Sequence, residues 1–142
     1  MLDLYPLLFT PVLKDYIWGG RTLEKLGRTL PKGIIAESWE ISGHKDGITP
    51  VANGRYANTL LTDLHQELGL ALIGRNCVWA QERGKFPLLI KLLDANRQLS
   101  VQVHPNDAYA LAHEGNELGK AEMWVVLAAK PNAKLQLGVT AG

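Results

Sequence analysis

The chain has 142 residues, enough for one domain with its own core, and at 46% hydrophobic and 20% charged it has the make-up of a globular protein. Fifteen Lys and Arg face fourteen Asp and Glu, and the basic residues are scattered, which argues against a polyanionic partner such as nucleic acid. The one cysteine, Cys77, excludes an internal disulfide and a thiolate metal cluster, suits a reducing cytoplasm, and lacks a local basic partner, so it reads as structural. The opening MLDLYPLLFTPV is apolar but has no basic leader segment, and its prolines make it read as mature sequence. The apolar run Phe86–Leu93 is interrupted by Lys91 and is too short to cross a bilayer, so no membrane association is expected.

Leu4 to Val12 is a proline-punctuated extended lead-in, because Pro6 and Pro11 push their preceding residues toward β or polyproline geometry. In Lys14–Gly20 the pair Gly19-Gly20 permits a tight turn or positive φ beside Trp18, without the spacing of a phosphate-binding loop. Arg21–Leu26 is a short helix stopped by Gly27, and Pro31-Lys32-Gly33 is a loop. Glu37–Ser42 alternates, with Trp39 and Ile41 on one face and Ser38 and Glu40 on the other, the pattern of a half-buried strand. A turn over Gly43–Gly47 leads to a short strand over Ile48–Ala52, and Asn53-Gly54 is a turn. Thr59 is placed to cap a helix whose apolar stripe is Leu60, Leu61, Leu64 and Leu68. The stretch Gly69–Gly74 suits either helix or loop.

From Phe86 the pattern becomes β. Leu88–Leu93 is almost continuously apolar, as in a strand buried on both faces. Asp94–Arg97 connects it to Leu99–Val103, where Leu99, Val101 and Val103 oppose Ser100, Gln102 and His104. Pro105 suits the first position of a helix that ends near Glu114, before Gly115. Asn116–Gly119 is a loop, and Glu122–Ala128 and Ala133–Leu137 read as strands.

Side chains two apart on a strand share a face, with Cα atoms roughly 6.6 Å apart, so Gln102 and His104 can address one ion. A carboxylate from Glu122 would complete an amide, imidazole and anion set that suits a divalent metal. The ordinary alternative is an exposed polar face, with Lys120 and Glu122 as a surface ion pair. Lys91, in an apolar run, needs either a counter-charge or a polar pocket. Trp18 and Trp39 read as core or cleft walls. His44, His65 and His113 have no second ligand at useful spacing and read as surface residues.

WGG at Trp18–Gly20, ESWEIS at Glu37–Ser42, FPLLIKLLDANRQLSVQVHPND at Phe86–Asp107 and GKAEMW at Gly119–Trp124 together resemble the zinc-dependent mannose-6-phosphate isomerases of the short bacterial type. The resemblance spreads over most of the chain in the family's order. It implies a mainly β, cupin-type jelly-roll with short helices, incomplete over residues 1–142, which would form the N-terminal part of a longer isomerase domain. The implied activity interconverts mannose 6-phosphate and fructose 6-phosphate with Zn2+. The family's ligands map onto Gln102, His104 and Glu122. The lysine of substrate handling or proton transfer maps onto Lys120, and Trp18, Lys91 and Ser100 map onto substrate-facing positions. The family's remaining histidine ligand and an arginine would fall beyond Gly142. The expected partners are a sugar phosphate and, through unpaired strands, a second copy or a downstream half. The competing reading is a non-catalytic cupin module that binds metal or sugar phosphate. A cupin dioxygenase would need a second histidine beside His104-Pro105-Asn106-Asp107, and none is suitably placed.

Overall fold

The computed structural model describes residues 5–136 and Gly138. Leu4, Leu137 and Gly142 lie outside the described residues. The chain divides into two compact units, Met1–Gln102 and Val103–Gly142.

The first unit is built on an antiparallel sheet of three strands, β1 (Val12–Lys14), β2 (Glu37–Ser42) and β3 (Leu89–Leu93), in the order β1-β2-β3. The strand β2 is central, and it is more deeply buried than alternation alone predicts. Ser38 and Ser42 are as inaccessible as Trp39 on the opposite face. Their polar groups are satisfied inside the protein. The buried Thr49 hydroxyl accepts from Ser42 N at 3.0 Å, and Ser38 donates to Glu40 at 2.7 Å. The register shifts between Trp39, opposite Lys91, and Ile41, opposite Ile90, so Glu40 is the extra residue of a bulge. There it meets Arg28 in an ion pair.

The strand β3 is not buried on both faces as its apolar run suggests. It forms an edge of the sheet, and Leu88, Leu89 and Ile90 are 58%, 37% and 48% exposed. A strand with a single neighbour leaves part of its length uncovered, whatever its composition.

Residues 22–26 form a 3-10 turn ended by Gly27 at φ 78°, as the glycine predicts. Gly19 and Gly20, by contrast, do not use positive φ among the described residues. Gly19 is small because the Ile35–Ala36 backbone passes close by, and Gly20 because the Asn96 and Asp94 side chains do. A Cβ on Gly19 would lie 2.5 Å from Ala36 N, and one on Gly20 2.1 Å from the Asn96 amide nitrogen. The expected strand over Ile48–Ala52 reduces to isolated bridges, Phe9 to Val51 and Pro50 to Leu60.

The helix α1 (Leu61–Leu68) carries the predicted stripe on Leu61, Leu64 and Leu68, all buried, while Leu60 stands outside it at 38% exposure. Leu60 is also the cap position in place of Thr59, because the 59–60 backbone is held in place by its bonds and bridge to Val51 and Pro50. Leu64 and Leu68 pack with Val51 into a core that also draws in Leu7, Phe9, Tyr56 and Leu72. Burying each such side chain contributes about 1.5–3 kcal/mol. His65, expected at the surface, is 2% exposed, because it lies on the same helical face as Leu61, Leu64 and Leu68 and meets the Phe86 ring edge-on at 6.1 Å. Two short helices follow, α2 (Leu70–Ile73) and α3 (Val78–Glu82).

The second unit contains α4 (Asp107–His113) and otherwise extended or turning chain. Among the described residues no strand forms over 122–128 or 133–136, nor over Leu99–Val103. Val101 and Val103 are 83% and 93% exposed. A strand exists only when a neighbour completes its hydrogen bonds, and no described segment pairs with these. The described residues therefore show a small antiparallel sheet with short helices, and do not by themselves form the expected jelly-roll.

Candidate active site

The second unit assembles its chemistry around the start of α4. Pro105 stands just before the helix rather than at its first position. Asn106 is the cap, and its side-chain oxygen accepts from Tyr109 N at 2.9 Å. Asp107 then reaches outward and accepts from Gly119 N at 2.8 Å, while Pro105 O accepts from Lys120 N at 2.9 Å. Gly119 is required by space, since a Cβ there would lie 2.4 Å from Asp107 N. Gly115, at φ 63°, lets the chain leave α4 and return. The segment after the helix is thus stitched back onto the segment before it.

This fold-back brings Glu122 to His104. His104 Nε2 lies 2.9 Å from Glu122 Oε2, and Lys120 Nζ lies 3.0 Å from Glu122 Oε1. Trp124 Nε1 donates to the same Oε2 at 3.4 Å. Partial burial works against the charge on Glu122, but hydrogen bonds from Lys120, His104 and Trp124, with the Lys120 charge, outweigh it. They hold the carboxyl down to about 2. Three of the expected residues, His104, Lys120 and Glu122, are therefore together. Asn106, Asp107, Gly119 and Trp124 carry no site role in the sequence reading, although all four lie within the motifs Phe86–Asp107 and Gly119–Trp124.

In the first unit, Lys91 has a counter-charge. Its Nζ lies 3.1 Å from Glu37 Oε1, and Glu37 Oε2 accepts from Trp39 Nε1 at 2.6 Å. Alternation marks Glu37 only as part of a strand, yet it is the buried anion that lets an ammonium sit in an apolar run. Trp18 is half-buried and stacks on Tyr16 with ring centres 5.9 Å apart. Gln102 and Ser100 are both exposed and bond each other, Gln102 Nε2 donating to Ser100 Oγ at 3.1 Å. Gln102 closes the first unit and His104 belongs to the second.

The donors of the second unit suit zinc in kind, one imidazole nitrogen and one carboxylate oxygen. Two donors of a tetrahedral ion bonded at about 2.0–2.1 Å stand roughly 3.3–3.4 Å apart. The observed 2.9 Å between Nε2 and Oε2 is shorter than that span and is a direct hydrogen bond, so the two donors would have to part slightly to take an ion. No group of three His, Cys, Asp or Glu converges among the described residues.

The family description "phosphomannose isomerase type I, catalytic domain" matches residues 7–132. The mannose-6-phosphate isomerase ManA of Bacillus subtilis (strain 168) is 41% identical over 133 residues, which is 94% of this chain and 40% of the relative. The crystal structure of the mannose 6-phosphate isomerase from Bacillus subtilis superposes with a TM-score of 0.70 at 41% identity, over 80% of this chain and 35% of that one. A mannose 6-phosphate isomerase bound with zinc and yttrium gives a TM-score of 0.59 at 26% identity, covering 77% of this chain and 28% of that one. The fold is therefore of the phosphomannose isomerase class. The chain belongs to the type I phosphomannose isomerases, within their catalytic domain. It spans about two-fifths of the length of the curated relatives it matches.

Proposed function

We propose that this chain supplies part of the active site of a zinc-dependent isomerase that interconverts mannose 6-phosphate and fructose 6-phosphate in the cytoplasm. The observation that carries the reading is Glu122, which meets His104 at 2.9 Å and Lys120 at 3.0 Å, in a chain of this family. His104 and Glu122 would hold the zinc ion. Gln102 as a ligand rests on its spacing from His104 and on the resemblance, and Trp18, Lys91 and Ser100 as substrate-facing groups rest on the resemblance. The zinc-bound relative supports the choice of metal.

Aldose–ketose isomerisation moves a proton between C1 and C2 through an enediolate. Bound zinc supplies a positive centre that stabilises negative charge on the sugar oxygens. Lys120 presents its Nζ beside Glu122 and would hold or deliver a proton at the sugar oxygens. Glu122 keeps Lys120 oriented and His104 turned toward the same point. The sugar phosphate is the expected small-molecule partner. The described residues contain no helix long and apolar enough to cross a membrane. Met123, Val125, Val126 and Leu127 are strongly exposed, and the remaining part of the family's domain or a second copy would pair along them.

The test is a fusion of this chain to the remainder of the Bacillus subtilis relative, with zinc content and coupled isomerase turnover both measured. The fusion should bind zinc and interconvert the two sugar phosphates. His104→Ala should lose the metal and nearly all turnover. Lys120→Ala should keep the metal and lose turnover. The chain by itself should bind zinc weakly and show no turnover. Full zinc content in His104→Ala, or normal turnover in Lys120→Ala, would overturn the assignment.

A further inference from the structure

We propose that Asp94 and Asn96 are positioning residues that aim Trp18, a role that rests on the reading of Trp18 as substrate-facing. The sequence presents the connection after β3 only as a link between strands. Its residues are instead engaged with a turn far earlier in the chain. Asp94 is 6% exposed, and both its carboxylate oxygens are occupied by N–H donors. Oδ2 accepts from Thr22 N, and Oδ1 accepts from the Asn96 side-chain amide at 2.6 Å. Its own N–H donates to Ala36 O at 2.8 Å, which ties it to the start of β2.

Held in this way, Asn96 N donates to Trp18 O at 3.0 Å. The residues after Trp18 are equally constrained. Gly19 N donates to Tyr16 O at 2.9 Å, Gly20 exchanges backbone bonds with Ile35 at 2.9 and 3.1 Å, and Gly20 leaves just enough room for Asn96 beside it. The Trp18 carbonyl is therefore held directly by Asn96, which follows β3, and Gly20 two residues on is tied to Ile35, just before β2. With that backbone pinned, the ring itself is held by its stacking on Tyr16, ring centres 5.9 Å apart, and the turn closed by Gly19 N and Tyr16 O keeps the two rings together. Such prior orientation is what a substrate wall needs, since misplacement by about 1 Å can lower rates by about a hundredfold. A buried carboxylate saturated by N–H donors suits this task because each lost bond leaves an unsatisfied group behind.

The experiment uses the 15N-labelled chain, whose four tryptophans give four indole N–H signals. Trp18→Phe assigns one of them, and mannose 6-phosphate is the titrant. In Asn96→Ala the Trp18 signal should move or broaden without ligand, and affinity should fall about tenfold, while the Trp39 signal stays in place. A Trp18 signal identical to the parent, with equal affinity, overturns the proposal. Loss of dispersion in all the indole signals also overturns it, because Asn96 would then merely hold the fold. Gly20→Ala is the second variant. Its added Cβ would meet the Asn96 amide at 2.1 Å and must disturb the same signal. If the parent chain shows no response to mannose 6-phosphate, the substrate reading fails separately, and the ligand-free Trp18 signals of both variants still decide the clamp.

Discussion

His104 Nε2 and Glu122 Oε2 stand 2.9 Å apart although 18 residues separate them in the chain. Neither residue makes that meeting alone. Asn106 caps α4, Asp107 holds Gly119, and Pro105 O holds Lys120 N, so the strands of chain before and after the helix are drawn together. The site is a consequence of how one short helix begins.

The first prediction follows from that latch. Asp107→Ala removes the acceptor for Gly119 N–H without touching His104 or Glu122. Zinc affinity, measured by calorimetric titration, should fall by about tenfold or more, as it does when groups that orient metal ligands are lost. Asn106→Ala should in addition lower stability by about 0.5–2 kcal/mol, the usual loss for a helix cap. Unchanged zinc affinity in Asp107→Ala would show that the fold-back does not depend on this bond.

Glu122 gives the pH dependence. Its carboxyl is lowered from an ordinary 4.5 to about 2, so in the metal-free chain the folded state binds its proton less readily than the unfolded state. The stabilisation is fully present above pH 4.5 and is lost as pH falls toward about 2. Carbon NMR of the carboxyl should show the low midpoint, and the Trp124 indole signal should follow it because Trp124 bonds Glu122. Glu122→Gln should abolish the indole response. A midpoint at the ordinary value would mean that Lys120 and His104 do not hold the carboxylate in solution.

The pair of Lys91 and Glu37 provides the third. Their side chains are 19% and 7% exposed, so each is largely desolvated. Lys91→Met should destabilise the chain by about 3–5 kcal/mol by leaving Glu37 buried without its cation. Adding Glu37→Gln should recover part of that loss, because the amide oxygen can still accept from Trp39. Urea midpoints of the single and double variants decide it. Equal midpoints for the two would mean that Glu37 does not depend on Lys91.

Much of the local structure was legible in the residues. The stripe of α1 repeats at helical spacing, the alternation of Glu37–Ser42 marks a strand, and Gly27 and Gly115 mark helix ends. These depend on backbone preference and side-chain periodicity within a few residues. The extended stretches at 99–103 and 122–128 have the same β-like composition as β3, yet they form no ladder among the described residues. Composition gives a segment the capacity to pair, and only a neighbour at the right place turns it into a strand.

The site shows the same division. Strand spacing and the family resemblance put Gln102, His104, Lys120 and Glu122 forward as acting together, and the structure brings the last three of them into contact. The sequence by itself also determined that Lys91 needed either a counter-charge or a polar pocket, since a buried ammonium with neither is too costly. It could not say that Glu37 provides it, that His65 is buried against Phe86, or that Asn96 grips the backbone at Trp18. Those are contacts between residues distant in the chain, and tertiary structure decided them, because hydrogen bonds and packing act over a few ångströms of space regardless of separation in sequence.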